Sequence, residues 1–185
     1  MAQLPSVERF AKGAMDLYSN NRMVVFLCGP TLKDLTDPAA ALRKQIMDEL
    51  TQDGFEVVLG EDDGLEDLRQ KFTGGYAHDN ELEFIKSECG AIVLVAGSVG
   101  SFCELGLFVH WIQNNRDCDL ILLVDERFKD AKSYFNEGPA RAADDFGKTY
   151  YVNFSDFNTE LLLRRLRGRR SSYFISGRGR PAGGA

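Results

Sequence analysis

The sequence predicts an α/β domain: a doubly wound, five-stranded parallel sheet of the flavodoxin/Rossmann-like kind, with strand order 2-1-3-4-5. Three observations predict it. Apolar runs of strand length alternate with longer segments of helical pattern, the signature of parallel strands joined by helical crossovers. The runs are apolar at successive rather than alternate positions, as in strands buried on both faces. Right-handed crossovers then place helices on both faces and leave a topological switch point between the first and third strands, where ligands bind outside the carboxyl ends.

The elements follow in order. Residues 5–18 read as a leading amphipathic helix. Residues 23–28 form the first strand, closed by Gly29-Pro30. Asp37 caps a helix that has Pro38 at its first position and runs to about Gln52, before Asp53-Gly54. Residues 55–59 are the second strand, and an acidic loop holding Glu61, Asp62, Asp63, Glu66 and Asp67 follows. A short helix is expected over residues 65–72, ended by Gly74-Gly75, and Asp79 caps the next helix through about Glu88. Residues 91–96 are the third strand, Gly97 to Gly100 a turn, and Ser101 opens a helix to about Asn115. The fourth strand spans 120–124; helical residues 126–135, a loop at Gly138-Pro139 and a fifth strand over 149–153 come next. Ser155 or Asp156 caps a last helix ending near Gly168. Residues 177–185, rich in Gly and Arg, read as disordered. The division is one domain over residues 1–170 and a basic tail over 171–185.

Composition limits the function classes. A chain of 185 residues, 44% hydrophobic and 27% charged, suits one globular domain. No apolar run reaches the ~20 residues of a membrane span, and the N-terminus lacks the layout of a secretory signal. Cys28, Cys89, Cys103 and Cys118 show no paired spacing and lie in or beside apolar segments, which points to reduced thiols and a cytoplasmic protein. His78 and His110 lack ligand-like spacing to them, so a zinc site is not expected; no cofactor is expected either. The net charge of −6 conceals an asymmetry, since seven arginines and no acidic residue follow from Arg164 onward. The acidic body disfavours general nucleic-acid binding, whereas the tail can meet a polyanion or an acidic protein partner.

The chemistry concentrates at the switch point. There the first strand's end, Cys28-Gly29-Pro30, lies beside the third strand's exit, Gly97-Ser98-Val99-Gly100-Ser101. Glycines let a ligand approach the backbone, and the two serines add hydroxyls. The helix start offers free amides and partial positive charge, so the segment is a candidate phosphate cradle. Glu104 then falls in the first helical turn, leaning back toward the crevice, with the helix dipole favouring its ionised form. Such a carboxylate can attack an anomeric carbon; it can also merely complement the dipole. Gly106 inside the helix implies close packing or close ligand approach. Asp79, Glu81 and Glu83, on the preceding helix, are candidates for acid, base or sugar-hydroxyl acceptor, or form a solvated helix start. Phe102, Phe108 and Trp111 suit core packing better than base stacking. Tyr76 is a candidate ligand cover and His78 a minor acid/base candidate.

The run from Asp79 to Ala96, followed by Gly97-Ser-Val-Gly-Ser-Phe-Cys-Glu-Leu-Gly106, resembles the nucleoside 2-deoxyribosyltransferase-like family, as does Val25-Phe-Leu-Cys-Gly-Pro30. The resemblance covers roughly residues 22 to 125 and is sharpest at Glu104-Leu105-Gly106. It implies an N-glycosidic reaction in which Glu104 attacks C1′ and expels a base, assisted by Asp79 or Glu81. Transferases pass the sugar to another base and hydrolases to water. TIR-type domains, which cleave NAD through a glutamate, are distantly similar, and some relatives are nucleotide-depleting toxins in phage defence. Six residues before the nucleophile the transferases carry an aspartate; here Ser98 stands, and Ser98 with Gly100 matches the branch that hydrolyses deoxynucleoside 5′-monophosphates. The transferases' C-terminal substrate contacts have no match in this sequence, which counts against transferase activity. The resemblance therefore implies a 5′-phosphorylated substrate, a nucleoside monophosphate or NAD, bound by Cys28, Gly29, Pro30, Gly97, Ser98, Gly100 and Ser101. A homo-oligomer is expected. The rival expectations are a deoxyribosyltransferase and a non-catalytic nucleotide-binding sensor or assembly subunit.

Overall fold

Continuous apolar runs become strands because both of their faces can be covered, and three of the five strands are buried along nearly their whole length. The computed structural model describes residues 21–61, 76–115, 117–130 and 132–175, with isolated positions at 8–9, 12 and 180–181. Its strands are β1 (Val24–Cys28), β2 (Glu56–Leu59), β3 (Cys89–Ala96), β4 (Asp119–Asp125) and β5 (Lys148–Val152). They form one all-parallel sheet in the order 2-1-3-4-5. Cys28 of β1 pairs with Leu94 of β3, so β3 runs on to Ala96 beyond the end of its neighbour. Asn21–Arg22 and Arg180–Pro181 add a small antiparallel pairing apart from this sheet.

The helices are α1 (Pro38–Gln52), α2 (Ala77–Glu88), α3 (Val99–Ile112), α4 (Tyr134–Glu137), α5 (Pro139–Phe146) and α6 (Glu160–Ile175). Strand side chains alternate between faces. Val25, Leu27, Val93, Ile121 and Leu123 meet Leu42, Ile46 and Leu50 of α1 and Leu162 and Leu166 of α6. Phe26, Cys28, Ile92, Leu94 and Leu122 meet Ile85 of α2, Leu105 and Phe108 of α3 and Ala143 of α5. Each fully buried Leu, Ile or Phe contributes roughly 2 kcal/mol, so the two apolar layers hold the sheet ends in place as a rigid platform.

Several local expectations are corrected. Ser98, not Ser101, precedes the α3 helix, which opens at Val99. Tyr76 stands at the N-cap of α2 and Asp79 lies inside the first turn, because the helix begins two residues before the carboxylate. The segment read as helical over 126–135 is a 3-10 turn at Glu126–Phe128 followed by α4, and the Gly138-Pro139 loop opens α5, with Pro139 at a position that needs no N–H. Asn158 rather than Ser155 or Asp156 accepts from the Glu160 N–H at 3.1 Å, and α6 passes through Gly168 to Ile175. The helix read over residues 65–72, the Gly74-Gly75 break and the acidic loop beyond Glu61 lie outside the described residues. So does the leading helix over residues 5–18, except for helical Glu8, Arg9 and Lys12. Of the residues expected to be disordered, 177–185, only Arg180 and Pro181 are described. Among the described residues no helix is long and apolar enough to cross a membrane.

Candidate functional site

The two loops expected at the switch point touch. A Cβ on Gly97 would lie 2.5 Å from Ala39 Cβ and 3.0 Å from Pro30 Cγ, so only glycine lets the β3 exit pass between the β1 loop and the start of α1. Gly29 has φ +151°, and a Cβ there would meet Val95 O at 3.0 Å and Arg43 Cδ at 3.1 Å. Gly100 is open: the nearest atom to a Cβ there is Ser98 Oγ at 3.9 Å.

The serines serve the helix first. Ser98 Oγ accepts from the Ser101 N–H at 3.2 Å and the Ser98 N–H donates to Ser101 Oγ at 2.9 Å, a reciprocal capping box. Ser101 is buried. The N–H groups of Val99 and Gly100, the first two of the helix, have no acceptor within it, and both residues are exposed. Both serine hydroxyls are thus engaged in the capping box, which leaves these amides as the segment's free donors.

Because α3 opens at Val99, Glu104 is its sixth residue, about 9 Å along the axis from Ser98. The dipole acts mainly on the terminal turn, and it does not hold this carboxyl ionised. Burial first, then the charge of Glu81, with Glu61 adding to both and Arg43 opposing them, push the Glu104 carboxyl up to about 7. Its Oε2 is buried and has no hydrogen-bond partner among the described residues. Glu81 is also raised, by burial and then by Glu61. Burial acts upward on Glu61 as well, but the hydrogen bonds and charge of Arg43 overcome it and hold that carboxyl low. Cys28 is 3% exposed in the wall of the site, and burial, then Glu104 and Glu81, keep its thiol protonated.

Arg43 and Glu61 join this cluster; Glu61 is read from the sequence only as part of the acidic loop, and Arg43 is not singled out at all. Arg43 sits on the inward stripe of α1 with Ala39, Leu42, Ile46 and Leu50, and is 1% exposed. Nη2 donates to Leu27 O at 2.8 Å, Nη1 to Pro30 O at 2.9 Å and to Gly29 O at 3.4 Å. Both nitrogens reach the Glu61 carboxylate, at 2.7 and 2.8 Å. A cation inside an apolar stripe is the signal that exposes it, since an arginine is buried only where it is paired.

The remaining candidates fall elsewhere. Asp79 is exposed, 3.6 Å from His78 Nε2, and is not among the charges acting on Glu104. Glu83 is exposed beside Lys86 at 3.5 Å. Tyr76, 70% exposed, stacks on His78 with ring centroids 5.6 Å apart. Phe108 is buried edge-on to Phe26, Phe102 packs against Phe128 and Phe135, and Trp111 lies half-buried against the core. One residue before Glu81, Asn80 buries Nδ2 with no partner among the described residues, a position that sequence reasoning passed over. A Cβ on Gly106 would meet nothing within 4 Å, so close packing does not explain this glycine.

Two hollows lie near α3, and none of Glu104, Glu81, Glu61 and Arg43 lines either of them. One of about 310 Å³ lies beside Gly97 over the ends of β3, β4 and β5, against Pro38, Phe102, Arg127 and Asn153. The other, about 790 Å³, runs along the face of α3 that carries Phe102, Gly106 and Val109, opposite Glu104, and is closed by Tyr134 and Pro139.

Comparison with known proteins supplies the family. No curated protein matches the chain. Residues 40–175 match the family model described as STM3845 retron effector protein. The matched span runs from α1 through α6 and contains Arg43, Glu61, Glu81 and Glu104, while β1 precedes it. With most of its length matched, the chain belongs to the STM3845 retron effector family, which fits a role in antiviral defence.

Proposed function

We propose that this effector is an N-glycosidase that cleaves the base–sugar bond of a 5′-phosphorylated nucleotide, a nucleoside monophosphate or NAD, through Glu104, and acts in defence by depleting that nucleotide. One observation carries the reading: the Glu104 carboxyl, pushed up to about 7 beside Glu81, buries Oε2 without a partner among the described residues. A buried acceptor left unsatisfied, with a strongly shifted carboxyl, is what a site awaiting a ligand presents. Asn80 Nδ2, a buried unpartnered donor, adds a second group for a polar ligand.

The chemistry follows from two carboxyls with one proton between them. In the reactive arrangement the proton rests on Glu81 and the negative charge on Glu104, which the charge of Arg43 favours. Glu104 gives an electron pair to C1′ as the C1′–N bond breaks, and those electrons leave with the base. Glu81 protonates the base where the base requires it. The glycosyl ester on Glu104 is then opened by water, whose proton goes to Glu81 where Glu81 has given its own to the base, and to solvent where it has not. The N–H groups of Val99 and Gly100, which have no acceptor within the helix, suit the 5′-phosphate. The likeness of residues 97–106 to the nucleoside 2-deoxyribosyltransferase-like family supports the same chemistry.

Incubation with NAD and a panel of nucleoside monophosphates, followed by chromatography of released bases, tests this. The expected result is base release from at least one substrate, reduced about a thousandfold or more in Glu104→Gln. Undiminished release in that variant sinks the mechanism. Stabilisation by a nucleotide with no product points instead to a non-catalytic sensor.

A further inference from the structure

The Arg43 guanidinium ties three parts of the chain together at the site. It holds the last carbonyls of β1 and its loop, at Leu27, Gly29 and Pro30, and it grips both oxygens of Glu61 beyond β2. Its own helix starts against Gly97, the exit of β3. A fork with this many acceptors fixes geometry as well as charge, which one ammonium cannot reproduce. The arrangement is also unequal. Glu61 takes the bidentate contact, so Arg43 reaches Glu104 only through space, and its Nε is buried without a partner among the described residues.

We propose that Arg43 is the positioning residue of the site: by clamping Glu61 against the end of β1 it fixes the field in which Glu104 and Glu81 divide their proton. This rests on reading Glu104 as the reactive carboxylate. Among the described residues, the groups facing Glu104 are Glu81 from α2, Arg43 from α1, Glu61 beyond β2 and the Cys28 thiol of β1. Glu61 and Arg43 act on Glu104 with opposite sign, so removing either moves it in opposite directions. A purely structural tie gives no such pattern, because loosening the loop alone lets in water and lowers the carboxyl in both variants.

The test is the titration of Glu104 in the full chain, read by carbon NMR of carboxyl-labelled glutamate, with the resonance assigned by its loss in Glu104→Gln. Arg43→Met is expected to move the midpoint upward by about one pH unit or more. Glu61→Gln is expected to move it downward, and Arg43→Lys, which keeps the charge but not the fork, to move it upward by less than Arg43→Met. Should Arg43→Met not fold, the other two variants decide. An unmoved midpoint in Glu61→Gln, or movement in the same direction for Arg43→Met and Glu61→Gln, overturns the proposal. The readout needs no turnover, so absent base release from the parent chain would count against the glycosidase alone and leave the role of Arg43 to the titration.

Discussion

Burial of the Glu104 carboxyl makes stability itself depend on pH. In the unfolded chain this group releases its proton near the ordinary 4.5, whereas the fold retains it to about 7. Below the lower value both states are protonated and no penalty exists. As pH rises through the interval the unfolded chain ionises first, so stability falls, and above about 7 the fold bears the full penalty of a buried anion. Allowing for solvent screening of a part-exposed side chain, the penalty is about 2 kcal/mol. Glu104→Gln cannot ionise, so its melting temperature relative to the parent chain should rise by several degrees between about pH 5 and about pH 8. Parallel pH profiles in the two proteins would remove Glu104 as the titrating group. The same residue shows what a sequence conveys at this scale. Gly97, Ser98 and Glu104 are legible because glycine, a cap and a carboxylate at a strand exit form a local pattern. The Arg43–Glu61 pair is not, because its partners are 18 residues apart and the field at Glu104 exists only once α1, α2 and α3 are packed.

At the scale of elements, the start of α3 depends on small groups with separable roles. Ser98→Ala removes the acceptor for the Ser101 N–H and should cost about 1 kcal/mol. Gly97→Ala drives a methyl to 2.5 Å from Ala39 Cβ, a contact that the neighbouring backbone must yield to, and should cost about 1–3 kcal/mol. Urea unfolding measures both, and a Gly97→Ala chain as stable as its parent would mean that the β3 exit does not pass so close to α1. The strands were legible to within one or two residues because burial on both faces leaves unbroken apolar runs. α5 was not. Pro139 signals a break as readily as a first helical position, and the eight-residue helix buries only Ala140 and Ala143. α6 runs past Gly168 because contacts elsewhere in the fold outweigh one interior glycine, whose preference costs about 1 kcal/mol.

Across the whole molecule, the charge asymmetry of the sequence acquires an internal meaning. Arginines that a formal count reads as a basic end face carboxylates of the body. Arg165 makes a two-pronged contact with Asp119 at 2.7 and 2.8 Å, and Arg167 meets Asp53 at 2.9 and 3.2 Å. Arg170 donates to Asp53 O at 2.7 Å and lies 4.3 Å over the ring of Phe55. These contacts lay α6 over one face of the sheet, where Leu162, Leu163 and Leu166 are buried. Asp119 opens β4 and is 8% exposed, so its pairing lies closer to the core than an ordinary surface bridge. Asp119→Ala leaves the Arg165 guanidinium without its partner and should destabilise the chain by about 2 kcal/mol. Arg165→Leu leaves the carboxylate in the mirror-image position. If the bridge orders α6, the double variant is less destabilised than the sum of the two, because neither charge is then left alone. Strict additivity in that cycle would mean that the leucines hold α6 by themselves, and that Arg165 is free to meet an acidic partner.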